Sequence, residues 1–152
     1  MILIAHNIRS LHNVGSFFRS ADAFGIEKIY LTGYTAVPPR QEIAKTALGS
    51  EDRMPWEHED DILSLLSHLK QTGKTIVALE TREGSEPMTE FLAKHSDNDF
   101  VVIVGNEVTG IEKEILAVVD AIVEIPLLGR KQSLNVSVAA GIALFAFTAR
   151  NR

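Results

Sequence analysis

The chain has 152 residues with no cysteine and a net charge of −5. That length is expected to form one domain, residues 1–152, burying ~70% of its unfolded surface. Without cysteine, disulfides, thiolate nucleophiles and zinc–thiolate sites are excluded, and 45% apolar with 23% charged residues is the balance of a soluble globular protein.

Ile2 to Ile8 reads as a buried strand closed by Asn7 and the polar Arg9-Ser10. It lacks a basic leader region, so no signal peptide is expected. Asn13 is placed as the N-cap of a helix over Val14–Phe24, with Val14, Phe17, Phe18, Ala21 and Phe24 on its apolar stripe and Gly25 as its stop. Arg19 sits off the centre of that stripe. Lys28–Thr32 is a second strand, Gly33–Arg40 a loop, and Gln41–Leu48 a short helix ending at Gly49. Met54-Pro55-Trp56 reads as a turn. His58–Gln71 alternates charge with Ile and Leu in a helical pattern, and Thr75–Leu79 is the third strand. A polar loop then runs to Glu86, and Pro87 suits the first turn of a helix ending near His95. Phe100–Val104 is an apolar, β-branched strand opening into Gly105-Asn106-Glu107. Glu112–Val118 reads as a helix and Ala121–Ile125 as the last strand. Strand and helix alternate throughout, which predicts an α/β fold with a mainly parallel sheet covered by helices on both faces.

The stretch from Ile125 to Ile142 organises the rest. Pro126 and Gly129 make its first half a loop, and Ser133 stands where an N-cap belongs. From Val136 to Phe147 nearly every side is apolar or small, which predicts a helix buried all round. It is shorter than the ~20 residues needed to span a membrane and carries Ser137 and Gly141, so it reads as a core or interface helix, and no membrane partner and a cytoplasmic location are expected. A polar loop feeding such a helix offers free N–H groups to a carboxylate, ribose or phosphate.

Charge is unevenly spread. Residues 56–99 carry four Lys or Arg against ten Asp or Glu, while residues 1–55 carry six against five and residues 100–152 five against five. The acidity therefore belongs to one middle face, and charge neither supports nor excludes RNA. Ligands in open α/β sheets collect beyond the C-terminal ends of the strands. Three such exits qualify: Leu79-Glu80-Thr81, Gly105-Asn106-Glu107 and the Ile125–Ser133 loop. There is no G-x-G-x-x-G, no phosphate-binding G-x-x-x-x-G-K-[ST], no G-x-S-x-G and no metal-ligand spacing among the five histidines, so no metal is expected. Gly15, in the first turn of a helix, implies that something approaches closely there.

Taken together, the run N-x-G-x-x-x-R at Asn13–Arg19, the turn G-N-E-x-x-G at Gly105–Gly110, and I-P-L-x-G-x-x-x-S-L-N-V-S-x-A-A-G-I from Ile125 resemble the SpoU/TrmH class of SPOUT RNA 2′-O-ribose methyltransferases. The resemblance spans Ile8 through Phe145. It implies a Rossmann-like α/β domain with a C-terminal trefoil knot, S-adenosylmethionine as cofactor, tRNA or rRNA as partner, and a homodimer. Carried over by position, the cofactor would lie against Leu79, Thr81, Gly105, Ile125, Leu127, Ser133 and Leu134. The catalytic positions would be Arg19, Asn13, Glu107, Ser133 and Asn135. RNA would meet Arg9, Arg19, Lys45, Arg53, Arg130 and Lys131, all outside the acidic middle.

The chemistry of those side chains is consistent with this. A ribose hydroxyl is a poor nucleophile and a sulfonium methyl is already electrophilic, so the enzyme must mainly align atoms and help one proton leave. Arg19, a guanidinium cation, suits a developing alkoxide or a phosphate, although similar proteins are often assigned Arg as the base. Asn13, Ser133 and Asn135 offer neutral hydrogen bonds, and Glu107 would orient Arg or the loop. Two other readings stand beside this one: a catalytically silent SPOUT-like protein that binds RNA or a nucleotide, and a methyltransferase acting on a base.

Overall fold

Two five-residue runs, Ile2–His6 (β1), apolar except for the buried His6, and Phe100–Val104 (β6), are buried along their whole length and pair in parallel at the centre of the sheet. In the computed structural model, which describes residues 1–95 and 99–149, thirteen helices and strands follow in order. After β1 come α1 (Leu11–Phe24), β2 (Lys28–Thr32), α2 (Gln41–Ala47), β3 (Trp56–Glu59), α3 (Ile62–Gln71) and β4 (Thr75–Leu79). Then come β5 (Glu86–Pro87), α4 (Met88–Lys94), β6, α5 (Lys113–Leu116), β7 (Ala121–Glu124) and α6 (Val136–Ala149). A single 3₁₀ turn, Ser50–Asp52, sits between α2 and β3.

The strands lie in the order β3-β2-β1-β6-β4-β7-β5, and every pairing among the described residues is parallel. Side chains of successive strand residues point to opposite faces, and the core divides accordingly. Leu3 and Ala5 of β1 pack with Val14, Phe17, Phe18 and Ala21 of α1 and with Ala140 and Leu144 of α6. Ile2 and Ile4 pack instead with Leu65, Leu66 and Leu69 of α3 and Ile115 of α5. Further along the first face, Phe100, Phe91 of α4 and Phe147 of α6 cluster, the Phe100–Phe147 rings crossing edge to face at 4.9 Å.

Strands β2, β4 and β6 run where hydrophobic periodicity places them. Some elements end early, β1 at His6 rather than Ile8, α5 at Leu116 rather than Val118 and β7 at Glu124 rather than Ile125. Glu86–Pro87 adds a short strand where a loop was expected; the larger differences lie at element starts. Helix α1 begins three residues before Val14: Ser10 caps it by accepting from Asn13 N, and Asn13 itself lies inside the first turn. Trp56–Glu59 is a strand rather than a turn running into a helix, because it extends the sheet edge beside β2, and α3 starts only after the cap Asp61. Pro87 stands just before α4, and Glu112 just before α5. Helix α6 begins at Val136 and is capped by Asn135, not Ser133: Asn135 Oδ1 accepts from Ser137 N at 2.8 Å and from Val138 N at 3.4 Å. Nor is α6 buried all round. Ala140, Ala143, Leu144 and Phe147 are buried, but Val138, Ile142 and Phe145 are 50%, 38% and 58% exposed.

Gly15 has a packing explanation. A Cβ there would sit 2.1 Å from Thr46 Oγ1 and 2.2 Å from Ile43 O, so glycine lets α2 cross α1 in contact. The close neighbour that this glycine admits is α2. No helix of the described residues is long and apolar enough to cross a membrane.

Candidate functional site

The chain runs outward from β1 to β2 and β3 on one side of the sheet, and from β6 to β7 on the other. The neighbouring exits of β1 and β6 therefore lead in opposite directions, and the open side of the sheet's C-terminal edge lies on the β6 side. A cavity of about 790 Å³ opens beyond the C-terminal ends of β4, β6 and β7. Leu79, Glu80 and Thr81 bound it from β4, residues 105–108 with Gly110 from β6, and much of 124–136 with Ala139 from the loop into α6. Its lining is two-sided. Leu79, Ile125, Leu127, Leu134 and Val136 are apolar, while Glu80, Asn106, Glu107, Ser133 and Asn135 are hydrogen-bonding groups.

Three distant turns are tied together along its polar side. Glu107 Oε1 accepts from Ser10 N at 3.0 Å and from Asn13 Nδ2 at 2.9 Å, and its Oε2 accepts from Arg9 N at 3.0 Å. Asn135 Nδ2 then donates to Asn13 Oδ1 at 3.3 Å while Asn135 Oδ1 caps α6. Partial burial pushes the Glu107 carboxyl up, but the N–H groups of Arg9 and Ser10 and the Asn13 amide outweigh it and hold the group below the usual glutamate range. Glu107 is thus an ionised anchor already bonded on both oxygens, which makes it a poor proton acceptor. Glu80 differs: burial raises its carboxyl, opposed by the N–H of Ile111 and by Arg82, and its Oε2 accepts from Ile111 N at 3.1 Å.

The turn after β6 is built by glycine and asparagine. Gly105 and Gly110 lie so close that a Cβ on Gly105 would come 2.7 Å from Gly110 O, and Gly110 adopts a φ of +70°. Asn106 and Gly110 exchange backbone hydrogen bonds at 3.2 and 3.0 Å, closing the turn.

All seven residues expected to hold the cofactor, Leu79, Thr81, Gly105, Ile125, Leu127, Ser133 and Leu134, line this cavity. Glu107, Ser133 and Asn135 line it too, and Asn13 is bonded to two of them. Arg19 does not: it is exposed on α1, nearly two turns beyond Asn13, and is not among the lining residues. Of the expected RNA contacts, Lys131 lines the cavity and exposed Arg9 adjoins it through Glu107. Arg130 is exposed on the same loop, Lys45 is exposed on α2, and Arg53 pairs with Asp22 at 2.7 Å. Glu80, Asn106, Val108 and Gln132 also line the cavity without having been singled out. For Glu80 and Asn106 a signal existed, since each stands inside a strand exit that sequence marks as polar. Among the described residues no group of three or more His, Asp or Glu is placed to hold a metal ion.

The pattern of the SpoU rRNA Methylase family matches residues 1–145. A protein of Staphylococcus saprophyticus assigned to the TrmH family of tRNA/rRNA methyltransferases is 28% identical over 151 residues, covering 99% of this chain and 59% of its own. A Staphylococcus aureus counterpart is 26% identical over 144 residues, 56% of its length. The chain thus spans a little over half the length of these relatives. Among solved structures, the A. aeolicus TrmH/SpoU tRNA modifying enzyme superimposes with a TM-score of 0.86 at 31% identity, covering 99% of this chain and 74% of that one. An AdoMet-bound rRNA methyltransferase from Sinorhizobium meliloti gives 0.86 at 28% identity, covering 95% and 54%. A structure described as an RNA 2′-O ribose methyltransferase gives 0.84 at 25% identity, covering 99% and 56%.

Proposed function

Because the chain belongs to the SpoU rRNA methylase family and has its knotted α/β SPOUT fold, we propose that it is an S-adenosylmethionine-dependent RNA methyltransferase acting on a ribose 2′-hydroxyl of tRNA or rRNA. The observation that carries this reading is the bonded series Glu107–Asn13–Asn135, which draws three separate motifs to one wall of one cavity. The cavity's size and two-sided lining fit an adenosyl donor with a polar amino-acid tail. When bound, that donor supplies an electrophilic methyl on a positively charged sulfur.

The chain's own residues then position and stabilise. Leu79, Ile125, Leu127 and Leu134 exclude water around the apolar part of the donor, and Thr81, Gly105 and Ser133 offer polar and backbone groups. Asn13 and Asn135, neutral and held by each other, present hydrogen bonds that leave the sulfonium charge unquenched. Glu107 is a positioning residue: it fixes the start of α1 against the turn after β6. Arg19 stabilises the developing alkoxide as the 2′-proton passes to solvent water. Since Arg19 does not line its own cavity, it acts from a second copy of the chain, across a two-fold built on the exposed side of α6. Arg9, Lys45, Arg53, Arg130 and Lys131 take RNA phosphates.

Radiolabelled donor incubated with total tRNA and with rRNA, followed by nucleoside analysis, tests this. A 2′-O-methylated nucleoside is expected. Label on a base supports the base-methylating reading, and donor binding by calorimetry without label on either RNA supports the silent binding protein. Arg19→Ala is expected to lower methyl transfer about 10²–10³-fold with donor affinity unchanged. Mixing Arg19→Ala with Asn135→Ala chains should restore part of the activity, and no restoration would place Arg19 in the same subunit's reaction or outside it.

A further inference from the structure

On the side of the site facing β1 and β2 stands an aromatic ring that the reaction described above does not use. Tyr34, just after β2, is 61% exposed yet fixed at both ends. Its N–H donates to Asn7 Oδ1 at 3.1 Å, and its hydroxyl oxygen accepts from Asn106 Nδ2 at 2.6 Å. The segment behind it is stapled to β1: Ile8 N donates to Thr35 Oγ1 at 3.0 Å, and that hydroxyl donates to Ala5 O at 2.9 Å. Asn106 is buried and its amide is fully occupied. Besides Tyr34 it donates to Asn7 O at 3.0 Å, and it accepts from Val108 N at 2.8 Å and Thr109 N at 2.9 Å.

Tyr34 and Val108 therefore hang from one rigid amide, and Val108 is 73% exposed and lines the donor cavity. A tyrosine in water needs no buried amide to satisfy its hydroxyl. Tethering the tip while leaving the ring in solvent fixes a flat apolar surface beside the place where a ribose must be presented. Sequence-tolerant recognition of unpaired RNA uses such surfaces, because every base has a stackable face. Nearby carboxylates are already engaged, Glu107 by Arg9, Ser10 and Asn13, and Glu112 by Asn7 and His6. Arg9 is the exposed cation nearest in sequence to this wall.

We propose that Tyr34, with Val108 beside it, is the platform on which an unpaired RNA base stacks while the neighbouring ribose enters the cavity. This rests on the RNA methyl-transfer reading above. The test uses a fluorescein-labelled, mixed-sequence single-stranded RNA of about 12 nucleotides, the order of a single-strand binding site. Its anisotropy is followed with the protein saturated with S-adenosylhomocysteine, and the same RNA as a duplex is the control. Tyr34→Ala is expected to weaken single-strand binding about tenfold, Tyr34→Trp to stay within about twofold of wild type, and Tyr34→Phe, which keeps the ring and loses its tether, to fall between them. Calorimetric affinity for S-adenosylhomocysteine should be the same in all four proteins. Wild type that ignores the single strand or prefers the duplex overturns the proposal. So does Tyr34→Ala that binds like wild type, or that loses S-adenosylhomocysteine affinity in step. If wild type binds no S-adenosylhomocysteine at all, the methyl-transfer reading fails instead, while the RNA arm still reports on Tyr34.

Discussion

Helices α1 and α6 are both 14 residues long, pack against each other, and could hardly differ more in how their surfaces are spent. α1 buries Val14, Phe17, Phe18 and Ala21 and turns His12 and Arg19 to water, as an amphipathic helix should. α6 is apolar on every side and still leaves Val138, Ile142 and Phe145 exposed in the single chain. Burial read from hydropathy describes the final assembly, and for α1 that assembly is the chain itself. For α6 we propose that it is a pair of chains.

The sharpest way to break the contrast is a charge on each helix's outer face. If the proposed dimer forms, Ile142→Glu is expected to leave circular dichroism intact but shift the protein to monomer in sedimentation at micromolar concentration, with methyl transfer falling about 100-fold or more. Ala23→Glu, on the exposed side of α1, should do neither. An Ile142→Glu protein that remains dimeric would remove the proposed interface.

Glycine gives the next largest effect. Gly15→Ala forces a Cβ into backbone and side chain of α2 and should cost about 1–3 kcal/mol in denaturant unfolding. At Gly141 the nearest group a Cβ would meet is Ser20 Oγ at 3.6 Å, so Gly141→Ala should be neutral or stabilise by up to ~1 kcal/mol within the chain. If Gly141→Ala instead disrupts the proposed dimer, the second chain approaches α6 at that point.

The caps come third. Asn135→Ala removes the cap of α6 and its link to Asn13, and should cost about 1 kcal/mol, whereas Ser133→Ala should change unfolding by only a few tenths. The smallest effect is in the acid range. α1 is anchored by a carboxylate and α6 by an amide. Because folding lowers the Glu107 pKa, its contribution is complete above the ordinary value of 4.5 and is lost as pH falls through the lower folded value. Wild-type thermal stability should therefore drop more steeply than that of Glu107→Gln below pH 4.5, while Glu107→Gln is the less stable protein at neutral pH.

The same two helices mark what a sequence can and cannot tell. β2, β4 and β6 are legible because each is a compact apolar segment with polar neighbours. β3, with sequence WEHE, carries no such signal and exists because β2 offers it an edge. Caps are harder, since Ser10, Asn13, Ser133 and Asn135 all have the right chemistry and only three-dimensional reach selects Ser10 and Asn135. The cavity wall was legible as three strand exits and a set of motifs. The link between them was not, because Glu107, Asn13 and Asn135 meet only after the sheet order has juxtaposed residues about a hundred positions apart.

That sheet order also governs how the protein comes into being. β1, at residues 2–6, has β6, at residues 100–104, as one of its two partners. During synthesis at about 5–20 residues per second, the first strand leaves the ribosome several seconds before the strand that covers its second edge. Nascent β1 is then an open apolar edge that β2 guards from one side only. A ribosome stalled after β2 has emerged and before β6 has would hold a half-sheet with that edge open, so slow translation in that interval should make the protein dependent on holding chaperones.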